Sequence, residues 1–205
     1  MRPLVPILTI PLLAASSSPL AAQESAATYD VPRVAFPDST AVTTLADLDG
    51  DGVKDALGWY FVDDTFDAVK VSGFSGAPDG TFAPSFTLQT SGNSSELIAW
   101  AIEAARFDAD ARDDFVCAFH DEVKAFRSDA AGQPIPFASF EEPGPIQSAV
   151  TLDVDGDGLD DLALAVVGVG LRIHRNTGTG FVLVGSLPGS GFLRRVDIDG
   201  DPLPE

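Results

Sequence analysis

Asp47-Leu48-Asp49-Gly50-Asp51-Gly52-Val53-Lys54-Asp55 sets carboxylates on alternate positions of a glycine-bent turn and then runs straight into the apolar stretch Ala56-Leu57-Gly58-Trp59-Tyr60-Phe61-Val62. The pattern returns as Asp153-Val154-Asp155-Gly156-Asp157-Gly158-Leu159-Asp160-Asp161, ahead of Leu162-Ala163-Leu164-Ala165-Val166-Val167. It opens again at Asp197 with Asp199 and Asp201. A weaker copy, Arg106-Phe107-Asp108-Ala109-Asp110-Ala111-Arg112-Asp113-Asp114, precedes Phe115-Val116-Cys117-Ala118-Phe119. First positions 47, 106, 153 and 197 lie 59, 47 and 44 residues apart, which is the spacing of a repeated supersecondary unit.

Short apolar runs bounded by turn residues read as strands buried on both faces. Further strand-like pieces follow at 68–71, 122–126 and 170–174, and glycine- or proline-rich turns lead to one more, as in Gly80-Thr81-Phe82 and Gly178-Thr179-Gly180-Phe181-Val182. The unit is therefore strand, acidic loop, strand, strand, turn, strand, and four antiparallel strands per unit is the pattern of a β-propeller blade. The segment 96–105 contains good helix formers, but alignment of the units places 102–106 in the strand before the second loop.

The loop chemistry points to a hard cation. Asp at positions 1, 3 and 5 projects three carboxylates inward, and the glycines let the backbone bend without steric penalty. Their mutual repulsion is relieved by a divalent ion, and an all-oxygen donor set selects Ca2+ over softer metals. The expected ligands are Asp47, Asp49, Asp51, the carbonyl of Val53 and Asp55 in the first loop. In the third they are Asp153, Asp155, Asp157, the carbonyl of Leu159 and Asp161, and Asp197, Asp199 and Asp201 begin a fourth set. An EF-hand needs Glu at position 12 and flanking helices. Position 12 is Gly58 or Leu164 here, within apolar runs.

The whole chain has 205 residues, with 31 Asp plus Glu against 12 Lys plus Arg, a formal charge of −19. Such a chain is repelled by phosphate backbones and anionic lipid surfaces, so nucleic acid is excluded as a direct partner. With 45% apolar residues it is too hydrophobic for a disordered acidic tail. Residues 1–22 carry a positive start, an apolar stretch too short and proline-rich to span a bilayer, and small residues up to Ala22. They read as a secretory signal peptide, followed by a linker over 23–40. The expected location is outside the cytoplasm, at the surface, in the medium or in the periplasm, where calcium is plentiful. The single Cys117 cannot form an internal disulfide.

DxDxDGxxD followed by a strand, repeated at blade spacing in an exported chain, resembles the FG-GAP/VCBS repeat family and the calcium-binding blades of integrin α-subunit propellers. The resemblance spans 41–205, with units from about 41, 100, 147 and 191. It implies an all-β, partial propeller in which calcium is structural, acting as a non-catalytic scaffold for protein or carbohydrate interaction and adhesion. The alternative is a fragment of a calcium-dependent polysaccharide-active enzyme of lyase-like propeller type. Three units and the opening of a fourth, ending at Glu205, fall short of the seven blades common in that family, so another chain is expected to complete the ring or the chain is a fragment.

The second loop departs from the pattern, with Arg106 at position 1 and Ala109 and Ala111 in place of glycine. No tightly held calcium is expected there. The Arg106 guanidinium either folds over Asp108, Asp110 and Asp114 as a built-in cation or points into solvent. His120, His174 and Cys117 fall in or beside strands and read as structural. No GxSxG elbow is present, and Gly168-Val169-Gly170 lacks a third glycine. Asn93-Ser94-Ser95 is a formal glycosylation sequon.

Overall fold

The computed structural model describes residues 41–61, 68–91, 100–189 and 191–195. The expected signal peptide and linker over 1–40, the sequon at 93–95 and the loop opened by Asp197, Asp199 and Asp201 lie outside them. The described residues are all β, with no helix among them. Twelve strands form three four-stranded antiparallel sheets, each a simple meander that does not close on itself. The first contains β1 (Ala41–Ala46), β2 (Asp55–Phe61), β3 (Ala68–Gly76) and β4 (Phe82–Ser91). The second contains β5 (Trp100–Ala105), β6 (Asp114–Phe119), β7 (Glu122–Ser128) and β8 (Pro134–Glu141). The third contains β9 (Ile146–Leu152), β10 (Asp161–Val166), β11 (Gly170–Asn176) and β12 (Phe181–Leu187).

Burial explains the composition of the strands. Every residue of β6 and of β10 is buried, which is why both read as continuous apolar runs rather than alternating ones. The helix formers near residue 100 are overridden, because β5 pairs along its whole length with β6, from Trp100 opposite Phe119 to Ala105 opposite Asp114. β1 lies beside β5 and β5 beside β9, so successive sheets meet through their first strands.

Two apolar seams join the sheets. Leu48, Leu57 and Val71 of the first meet Phe115, Cys117 and Phe119 of the second, with Phe86 stacked on Phe115 at 5.8 Å. The second seam gathers Phe107, Val116 and Val123 with Leu162, Leu164 and Val166. Phe137 and Phe140 lean across this seam onto Phe181, at centroid distances of 5.6 and 6.1 Å.

One irregularity occurs in all three sheets. The last strand carries an extra residue at Ser85, Phe137 and Val184, where the register shifts opposite Gly73/Phe74, Ala125/Phe126 and Ile173/His174. A bulge of this kind bends the strand and increases its twist.

Candidate metal centres

Each acidic loop joins the first two strands of its sheet, so a strand end fixes either side of the turn. In the first loop Gly50 (φ 78°) and Gly52 (φ 84°) occupy the left-handed region, which lets both their amides turn inward. Gly50 N donates to Asp47 Oδ1 at 2.9 Å and Gly52 N to Asp47 Oδ2 at 3.0 Å. Asp49 Oδ1 accepts from Asp51 N at 3.1 Å, and Asp51 Oδ1 from Val53 N at 2.7 Å. Asp55 is buried and braces the turn from the strand, taking Leu48 N on Oδ2 and Gly76 N on Oδ1, both at 2.8 Å.

The third loop repeats this geometry. Asp153 accepts from Gly156 N and Gly158 N at 2.8 Å each, Asp157 from Leu159 N at 2.9 Å, and Asp161 from Val154 N at 2.9 Å and Asn176 N at 2.7 Å. In both loops the carboxylates at positions 1, 3 and 9 converge. Asp47, Asp49 and Asp55 bring ligand oxygens within 4.8 Å of one another, as do Asp153, Asp155 and Asp161. These two clusters could hold a metal ion. Asp51 and Asp157 lie outside the triads, exposed on the rim, and the amides of Val53 and Leu159 close the turn against them.

Burial shifts the carboxyls at position 9. Burial pushes the Asp55 carboxyl above its ordinary range; the Gly76 and Leu48 amides offset this, while Asp49 and Asp51 add to it. Asp161 is raised in the same way, by burial first and by Asp155 and Asp157 besides. A divalent cation among these oxygens would reverse the repulsive part. With oxygen donors alone, the set suits a hard ion.

The second loop is built differently. Ala109 and Ala111 stay out of the left-handed region, and position 1 supplies no carboxylate. Its negative charge is met from within the protein. Arg112 pairs with Asp110 and donates from Nε to Ser128 O at 2.9 Å. Arg127 Nε stands 3.4 Å from Asp108 Oδ2, while its Nη2 donates to Phe107 O and Gly178 O at 3.1 and 2.9 Å. The Arg127 guanidinium lies 4.1 Å above the Phe137 ring. Arg106 does not fold over Asp108, Asp110 and Asp114: its side chain is 67% exposed and stands 3.9 Å from Asp113. The backbone of Arg106 instead bonds Asp160 of the neighbouring unit, and the internal cations are Arg112 and Arg127.

That neighbour contact is a joint between loops. Asp113 Oδ2 accepts from Asp47 N at 2.8 Å, and Asp113 N donates back to Asp47 O at 2.7 Å. The same reciprocal pair links Arg106 with Asp160: Arg106 N to Asp160 Oδ2 at 2.8 Å, and Asp160 N to Arg106 O at 2.7 Å. The acid at loop position 8 therefore fastens position 1 of the preceding loop. The first loop has Lys54 at position 8, and its ammonium reaches Asp113 at 2.7 Å. Sequence reading missed position 8 because its partner lies in another unit. The doublets Asp113-Asp114 and Asp160-Asp161 were the available signal.

The remaining reactive side chains occupy packed places. Cys117 is fully buried, and burial pushes its thiol far up. His120 sits in the turn between β6 and β7 at φ 46°, with Nδ1 3.1 Å from Asp121 Oδ1. His174 is buried against Phe140, with ring centroids 4.6 Å apart, and its Nε2 approaches Glu142 Oε1 at 2.5 Å. Glu142 also pairs with Arg172. Burial, then the Arg172 charge, lowers His174 to about 4; burial raises Glu142, with Arg172 opposing. Among the described residues no helix is long and apolar enough to cross a membrane.

No protein-family model matches the chain, and no curated protein matches it significantly.

Proposed function

We propose that this chain is an exported, calcium-stabilised interaction scaffold, built of blades of FG-GAP/VCBS type as part of a β-propeller. The observation that carries this reading is the pair of equivalent carboxylate triads, Asp47/Asp49/Asp55 and Asp153/Asp155/Asp161, each converging within 4.8 Å at the mouth of a glycine-turned loop. The three meanders meeting through β1, β5 and β9 support the blade reading. Calcium would be held by the triads, with Asp51 and Asp157 and the carbonyls of Val53 and Leu159 available to complete the shell. The protein's own part is to hold the oxygens in place through loop amides and to anchor position 9 inside the sheet.

The role is binding rather than catalysis, because the histidine and cysteine side chains are committed to packing and turn contacts. The partner is a protein or glycan met by loops at the ends of the sheets, and a further chain adds blades to complete the ring. Export is supported by the amino-terminal apolar stretch and by a net charge that calls for divalent ions.

Thermal unfolding in millimolar calcium and in excess chelator tests the metal. Bound ion stabilises by mass action, about 2.7 kcal/mol per site at a hundredfold excess over the dissociation constant. The midpoint is expected to rise with calcium, and Asp49→Asn and Asp155→Asn are each expected to remove part of the rise. Coincident curves with and without calcium would overturn the reading.

A further inference from the structure

We infer that the penultimate residue of the third strand in each sheet tunes cation affinity, so that Arg175 competes with a divalent ion for the 153–161 loop and the 47–55 loop is the tighter site. The inference rests on the metal reading above and adds the control of affinity.

Three equivalent positions differ in one respect. Ser75, Arg127 and Arg175 each precede the residue whose amide caps the position-9 aspartate: Gly76 on Asp55, Ser128 on Asp114, Asn176 on Asp161. In each loop the position-3 aspartate spends Oδ1 on the amide two residues on, which leaves Oδ2 for a cation. In the second loop that oxygen, Asp108 Oδ2, already faces the Arg127 guanidinium at 3.4 Å. This loop shape therefore gathers a positive charge at that oxygen, and a side chain from this strand position can supply it.

Arg175 is placed to do the same. Its Nη1 lies 3.7 Å from Asp155 Oδ2. Arg127 is further fixed by two carbonyls and an aromatic face, whereas Arg175 is 48% exposed at its side chain and makes the longer contact. Arg127 thus fills its loop, while Arg175 can be displaced at a cost. Ser75, which lines a small cleft with Asp49 and Asp55, brings no charge to the first loop.

Calorimetric titration of the full chain with calcium chloride tests this. The 47–55 and 153–161 loops are expected to bind with unequal affinity, Asp49→Asn removing the tighter of these two events and Asp155→Asn the weaker. Arg175→Ser should tighten the weaker event by up to about fivefold, the reach of a partly exposed ion pair, and leave the other in place. Arg175→Gln, which keeps length and removes charge, should do likewise, and Ser75→Arg should weaken the tighter event. If calcium binds twice and the Arg175 variants leave both affinities unchanged, this inference fails while the metal reading stands. If neither the wild type nor any variant binds calcium, both fail.

Discussion

Asp114 shows how far burial can displace a single carboxyl. Burial raises it from the ordinary 3.8 to about 6; the Phe107 and Ser128 amides pull it down, and Asp108 and Asp110 push it further up. Between those two values the folded state holds a proton that the unfolded chain has released. The contribution of Asp114 to stability is therefore complete below pH 3.8 and is lost as pH rises through about 6. His174 acts in the opposite sense: its pKa falls from 6.5 to about 4, so its contribution is present above 6.5 and lost as pH drops towards 4. The two trends overlap, which makes a melting curve a poor discriminator. Carboxyl NMR resolves the groups, and the Asp114 signal is expected to titrate near pH 6; a midpoint near 4 would show that Arg112 and Arg127 compensate it fully. At this scale the aspartate ladders were legible, since their alternation is local. The internal cation Arg127 was not, because it reaches Asp108 from a strand nineteen residues on, and only folding brings them together.

Strands and loops depend on each other through the reciprocal joints. Asp160→Ala removes the acceptor of Arg106 N but keeps the return bond from residue 160 N to Arg106 O, so this joint loses one of its two bonds. Because that amide is exposed and water can reach it, the loss is expected to be only about 0.5–1 kcal/mol, seen as a lower denaturation midpoint with an unchanged denaturant slope. A loss within experimental error would show that water replaces the carboxylate. Strand identity was largely readable from apolar runs such as 115–119 and 162–166, because both faces of those strands are covered. The shared bulge at Ser85, Phe137 and Val184 was not, since one extra residue leaves no mark on hydrophobic alternation when the three positions hold a hydroxyl, an aromatic ring and a branched chain. Nor did local propensity report β5, whose helix formers are held extended by pairing with β6.

Across the whole molecule a formal charge of −19 makes repulsion general as well as local. The two contributions separate by experiment. Sodium chloride screens diffuse repulsion over a Debye length of about 10 Å at 0.1 M and is expected to raise the melting midpoint of the chelated protein modestly. Millimolar calcium should raise it further at equal ionic strength; equal effects would place the cations in a diffuse atmosphere rather than in the loops. The seams between sheets, like the joints, have a direction. Each joint takes its backbone pair from the earlier unit and its carboxylate from the later one, as Asp47 with Asp113 and Arg106 with Asp160. Shuffling the gene so that the first unit followed the third would set the ammonium of Lys54, a donor, against the amide of Asp153, another donor. Similar modules are thus not interchangeable beads, and a single side chain at the eighth place of a turn marks which of them must lead the string.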